Sequence, residues 1–145
     1  MKKINDYDYY IYQKLIQMSK KCLKSGDVPV AAIIVQNQKI VGKGINKREK
    51  QNNIINHAEI MAIEKANKCL KTWNLSNCVM YVTLKPCTMC ENVIKQARIK
   101  QVFYLIEKPI NKKEYNKTIF TKSNCLNLEK NYLILLANFF KKLRK

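Results

Sequence analysis

The chain has 145 residues, 47% of them apolar, and a formal net charge of +18. That length fits one domain with a real core, and the apolar share is ordinary for a globular protein. "MKK" is followed by "INDYDYYIYQ" rather than an apolar signal core, and "VPVAAIIV" is far too short to span a bilayer, so a soluble, cytoplasmic chain is expected.

The charge has two readings. Lysine and arginine gain affinity for polyanions by releasing counterions from phosphates. Yet Arg48, Arg98 and Arg144 are the only arginines, and a chain rich in Lys, Asn and Ile also fits A/T-rich codon usage. Both readings stay open on the total alone.

Residues 7 to 24 read as a helix, with Ile11, Leu15, Met18 and Cys22 at helical spacing and Gly26 as its stop. "VPVAAIIVQNQKIVGKGIN" reads as two strands around a polar "QNQ" turn, and residues 47 to 56 as a polar loop. A helix is predicted from about His57 to Lys71, then a strand at Val79 to Leu84. Pro86 is predicted to open another helix ending near Arg98, and "QVFYLI" (101 to 106) reads as a strand. Residues 107 to 123 are polar and give no clear element. Leu133, Leu136, Phe140 and Leu143 then mark the apolar stripe of a last helix. With no repeat or linker, this order predicts a single α/β domain over residues 1 to 145, a mixed sheet with packed helices.

Four of the six cysteines, Cys22, Cys69, Cys78 and Cys125, sit among apolar neighbours and read as core. Cys87 and Cys90 differ. In "PCTMC" they stand at i and i+3, so both sulfurs can reach one ion from a single helix turn. A helix N-terminus there favours the thiolate. Taken alone, the pair is equally a metal site, a redox pair or coincidence.

The only histidine, His57, opens "HAEIMAI", with Glu59 two positions on. The chain offers no second Cys-x-x-Cys to close a four-ligand structural site. His57 as third ligand leaves one coordination position open, the catalytic arrangement. Residues i and i+2 do not share a helix face, but in a first turn both can converge over the helix end. Glu59 is then placed to move protons for a water without being a ligand. By itself His57 is as well explained as a satisfied polar residue at a helix start, and Glu59 as a first-turn match to the helix dipole.

His-x-Glu followed by Pro-Cys-x-x-Cys is the signature of zinc-dependent base deaminases. "DVPVAAIIV", "GKGINK", "HAEIMAI", "YVTLKPCTMC" and "NFFKKLRK" together resemble the bacterial tRNA-specific adenosine deaminases. The resemblance is close over about residues 7 to 106 and covers the last helix in outline. It implies a cytidine-deaminase-like three-layer sandwich, five strands with helices on both faces. It implies a homodimer acting on the wobble adenosine of an arginine tRNA anticodon, with one zinc ion per subunit held by His57, Cys87 and Cys90. Glu59 would shuttle protons, Asn46 and the Ala58 N–H would face the flipped purine, and Val30 would pack on its ring.

Residues 100 to 145 carry eleven Lys or Arg against Glu107, Glu114 and Glu129. "FFKKLRK" makes Phe139, Lys141 and Arg144 candidates for RNA contact, against the alternative of a packed helix with a basic tail. Two departures stand out. Lys85 replaces a family glutamate, and "LIEKPINKKEYNKT" lacks the family's Gly-Ala-x-Asp segment. Two rivals remain: a free base or nucleoside deaminase acting on guanine or cytosine, and a non-catalytic zinc-bearing RNA-binding module.

Overall fold

A computed structural model describes residues 5–107, 119–123 and 125–144. The chain divides into two compact units, Met1–Ile110 and Asn111–Lys145. The predicted segment 107 to 123 lies largely outside the described residues.

In the first unit, α1 (Asp6–Ser19) begins where Asn5 Oδ1 accepts the Asp8 N–H at 2.7 Å, with Asp6 and Asp8 in the positive first turn. The helix is shorter than the apolar spacing predicts. After Ser19 the chain tightens to a 3-10 helix over Lys20–Ser25, which ends on Gly26 at φ 74°. Ile11 and Leu15 are fully buried against the sheet, and the Tyr81 hydroxyl donates to Asp8 at 2.7 Å, fixing α1 over β3 (Val79–Leu84).

The hairpin of β1 (Ala31–Gln36) and β2 (Lys39–Ile45) turns on Asn37 and Gln38, both at positive φ, as a two-residue primed turn requires. β1 pairs antiparallel with β2 and β3, and β3 pairs parallel with β4 (Gln101–Ile106), giving the order β2-β1-β3-β4. The parallel step requires a crossover, supplied by α3 (Thr88–Gln96).

Side chains alternate across this sheet with period two. Ala31, Ile33 and Val35 meet α1, whereas Ala32 and Ile34 join α2 (Ala58–Leu70) and Ile94 of α3 on the opposite face. Central β1 is therefore apolar at nearly every position, and helices cover both faces, as expected. The count of five strands is not met. Four strands form among the described residues, because the next described element after β4 is a helix, whose apolar residues recur at three and four rather than two.

Two glycines set how closely α2 approaches. A Cβ on Gly42 would overlap the Ala62 carbonyl oxygen, and one on Gly44 the Ala58 carbonyl oxygen. With Ala58, Ala62 and Ala66 on the facing stripe of α2, helix backbone lies directly on strand backbone. The N-terminal turn of α2 is thereby fixed in depth over the sheet. Cys22 and Cys78 are buried as expected, but Cys69 and Cys125 are exposed. The buried stripe of α2 ends at Ala66, before Cys69, and Cys125 sits at the cap of a helix with no buried residue.

The second unit contains α4 (Leu126–Leu143), the predicted last helix. Phe139 and Phe140 meet edge to face with centroids 5.4 Å apart, and Lys122 pairs with Glu129. No described helix is long and apolar enough to cross a membrane.

Candidate active site

Both motif helices begin one or two residues later than predicted, and the difference places the ligands. His57 and Cys87 are N-caps in extended conformation, φ −76° ψ 155° and φ −71° ψ 170°. Pro86 precedes the cap instead of starting the helix. Held just outside each helix, these two side chains turn across its end, while Glu59 and Cys90 occupy the first turns behind them.

His57 Nδ1 lies 3.6 Å from Cys87 Sγ and 3.5 Å from Cys90 Sγ, and the three donor atoms all fall within 4.8 Å of one another. Two ligands of one tetrahedral ion, with Zn–N of about 2.0–2.1 Å and Zn–S of about 2.3 Å, stand roughly 3.5 Å apart. The spacing fits, and one imidazole with two thiols is a donor set that suits zinc. The nitrogen that faces both sulfurs is Nδ1, a detail that the sequence does not carry.

The Cys90 thiol donates to Cys87, which holds the Cys87 thiol down to about 4 despite the opposing effect of burial. The same bond, together with burial, pushes Cys90 up. The pair thus favours a thiolate at Cys87 over one at Cys90. Glu59 is 4% exposed, and burial raises its carboxyl above the ordinary range against the pull of its own N–H and Cys90.

Val30, Asn46, His57, Ala58, Glu59 and Cys87 line one cavity of about 240 Å³. Cys90 is fully buried and does not line the cavity, although its Sγ reaches His57 Nδ1. The other expected first-unit site residues all line the cavity, drawn from four chain segments. Phe139 and Lys141 lie in α4 and Arg144 at its C-cap, in the other unit.

The Asn46 amide is pre-set: Nδ2 donates to the Val28 carbonyl at 3.2 Å, and Oδ1 accepts the Arg48 N–H at 3.1 Å. Asp27 joins the two strips of chain that Asn46 touches. Its carboxylate, only 3% exposed, accepts from Ser25 Oγ and from the N–H groups of Glu49 and Lys50. Burial raises the Asp27 carboxyl, but these three donors outweigh it and hold the group below its usual range. Sequence reading passed over Asp27. Its only signal is an acid beside Gly26 in a chain with 28 basic and ten acidic residues. At the mouth, Lys85 pairs with Glu107 at 3.0 Å and lies over the Tyr104 ring, so the departure at position 85 has a local partner.

A family model for MafB19-like deaminases matches residues 5–144. The chain belongs to the MafB19-like deaminase family. The chain is 34% identical over 143 residues to a tRNA-specific adenosine deaminase of Rickettsia bellii, covering 91% of this chain and 99% of that one. It is 39% identical over 95 residues to a protein of the same name from Streptococcus pyogenes, covering 66% of this chain and 60% of the relative. The chain thus spans about 60% of the length of that relative. A solved structure from work on A-to-I editing by tRNA:A34 deaminases superposes with TM-score 0.67 at 29% identity, covering 70% of this chain and 78% of that one. A guanine deaminase from Bacillus subtilis superposes with TM-score 0.69 at 26% identity, covering 89% and 94%.

Proposed function

We propose that this chain is a tRNA adenosine deaminase, a single deaminase domain over residues 1 to 145 acting as a cytoplasmic homodimer. It hydrolyses the wobble adenosine of an arginine tRNA anticodon to inosine and ammonia. The observation that carries the reading is one cavity that joins a three-donor metal group, a buried carboxylate and a preset amide. Its modest volume suits a single base rather than a drug-sized ligand. Likeness to relatives named for tRNA adenosine deamination favours this substrate.

His57, Cys87 and Cys90 would hold zinc, which supplies Lewis acidity and brings the pKa of water toward neutrality. Asn46, its amide fixed from both sides, orients the base by hydrogen bonds. The Ala58 N–H, at the α2 terminus, faces the same ring, and Val30 packs on its face. Glu59 takes a proton from the attacking water and delivers it to ring N1; it then takes the second proton, from the hydroxyl added at C6, and passes it to the amine, which leaves as ammonia as the C6–N bond breaks and the C6 carbonyl forms. Its raised pKa suits both tasks, since a carboxyl nearer neutrality can both accept and donate. Outside the cavity, Phe139, Lys141 and Arg144 would add stacking and phosphate contacts.

The test is incubation of purified protein with an arginine tRNA transcript bearing A34, reading inosine by sequencing. Wild type should convert it. Glu59→Ala should lower kcat by about 10²- to 10⁴-fold while retaining bound zinc and RNA. The likeness to guanine deaminase supports a second reading, a free-base enzyme with the same chemistry. Turnover of guanine with unchanged A34 would establish that reading instead.

A further inference from the structure

A second concavity, of about 630 Å³, adjoins the first and shares Asn46 with it. Lys21, Lys24, Lys43, Lys47, Lys50 and Lys65 border it. They come from four places: the 3-10 helix, β2, the loop after β2, and α2. Among the described residues, no carboxylate lines it. Chain-wide lysine richness does not account for this. Six of its thirteen bordering residues are lysines, whereas the whole chain has 28 Lys and Arg among 145 residues and ten acids scattered between them. The ion pairs among the described residues are Lys85–Glu107 and Lys122–Glu129, so none of the six makes a direct ion pair there, although the Lys50 charge helps hold down the buried Asp27 carboxyl.

Converging like charges in a concave surface raise one another's energy and focus a positive potential there, which a polyanion relieves. We propose that this groove carries the sugar-phosphate backbone of single-stranded RNA next to the nucleotide seated in the cavity. The inference rests on the RNA-deaminase reading and extends it. Asn46 stands where the two spaces meet, so a strand leaving the cavity past Asn46 enters the groove at once. Backbone contacts of this kind add affinity without reading sequence, and they answer to salt. The groove would therefore act as the grip and the cavity as the reader.

The experiment compares three proteins on an anticodon stem-loop carrying A34: wild type, the triple variant Lys21→Gln/Lys43→Gln/Lys65→Gln, and a charge-matched control. The control, Lys39→Gln/Lys68→Gln/Lys95→Gln, changes exposed lysines that do not border the groove. The groove variant should raise KM roughly tenfold or more, with little of the loss in kcat. Its slope of log affinity against log salt should flatten by about 0.7 for each phosphate that is no longer neutralised. The control should keep the wild-type KM and slope. Equal effects in the two triple variants, or none in either, overturn the groove while leaving the deaminase reading intact. Failure of wild type to deaminate the stem-loop overturns the parent reading instead. If the triple variant does not fold, single Lys43→Gln and Lys65→Gln proteins carry the same comparison, each expected to raise KM about two- to threefold.

Discussion

At the scale of single residues, the cavity depends on a buried carboxylate that stands outside the candidate metal group. Asp27 fastens the Glu49–Lys50 turn to the Gly26 turn, and Asn46 spans the strips so joined. Asp27→Asn keeps size but loses an acceptor, leaving N–H donors short of partners. The expected result is a rise in KM for the RNA with zinc content unchanged, since Asn46 drifts while His57, Cys87 and Cys90 stay. The pH dependence has a definite sign. The folded-state pKa of Asp27 lies below its ordinary 3.8, so its stabilising effect is complete above that value. The effect disappears as pH falls through the lower folded value. Wild type and Asp27→Asn should therefore melt furthest apart near neutrality and converge in strong acid. A constant gap in melting temperature across that range would contradict the assignment.

At the scale of elements, the grouping of the three candidate donors was legible because donor chemistry restricts it. One imidazole and two closely spaced thiols leave few arrangements, and the structure brings His57, Cys87 and Cys90 together. Less legible was how the helices are held. Gly42 and Gly44 look like ordinary weak points of a strand, and only the facing stripe of Ala58, Ala62 and Ala66 gives them a purpose. Exposed Cys69 was misread because an apolar neighbourhood in sequence does not say which way a helix turns its face. The glycine contact makes a sharp prediction. Gly44→Ala sets a methyl group against helix backbone, which cannot move aside as a flexible side chain would. It should destabilise the fold by about 2 kcal/mol or more, as overpacking does. Lys39→Ala, on an exposed strand position, should shift the urea midpoint far less.

At the scale of the whole molecule, the proposed metal donors His57 and Cys87 lie thirty positions apart in sequence and meet only when α2, β3 and α3 have assembled. An ion bound there stabilises the folded state alone, by about 4 kcal/mol when free metal stands a thousandfold above its dissociation constant. Stripping the protein with a strong chelator should lower its melting temperature by several degrees or more. His57→Ala should melt near the stripped wild type and respond little to the chelator. Equal melting of loaded and stripped wild type would remove the ion from the folded assembly. The strand count was the part of the architecture least readable beforehand, because four strands announce themselves by their own apolar runs and the fifth rested on resemblance alone.

Ala58 belongs to two neighbourhoods at once: its carbonyl oxygen abuts Gly44 of β2, and the residue also lines the cavity beside Glu59. A single backbone unit is therefore both foundation and tool. Attempts to harden this protein against heat by refilling the strand–helix seam should also shift the cavity wall at Ala58. Substitutions that raise durability without sacrificing turnover should instead be sought on the α1 side of the sheet, where Ile11, Leu15 and Ile33 pack against one another away from the reacting atoms.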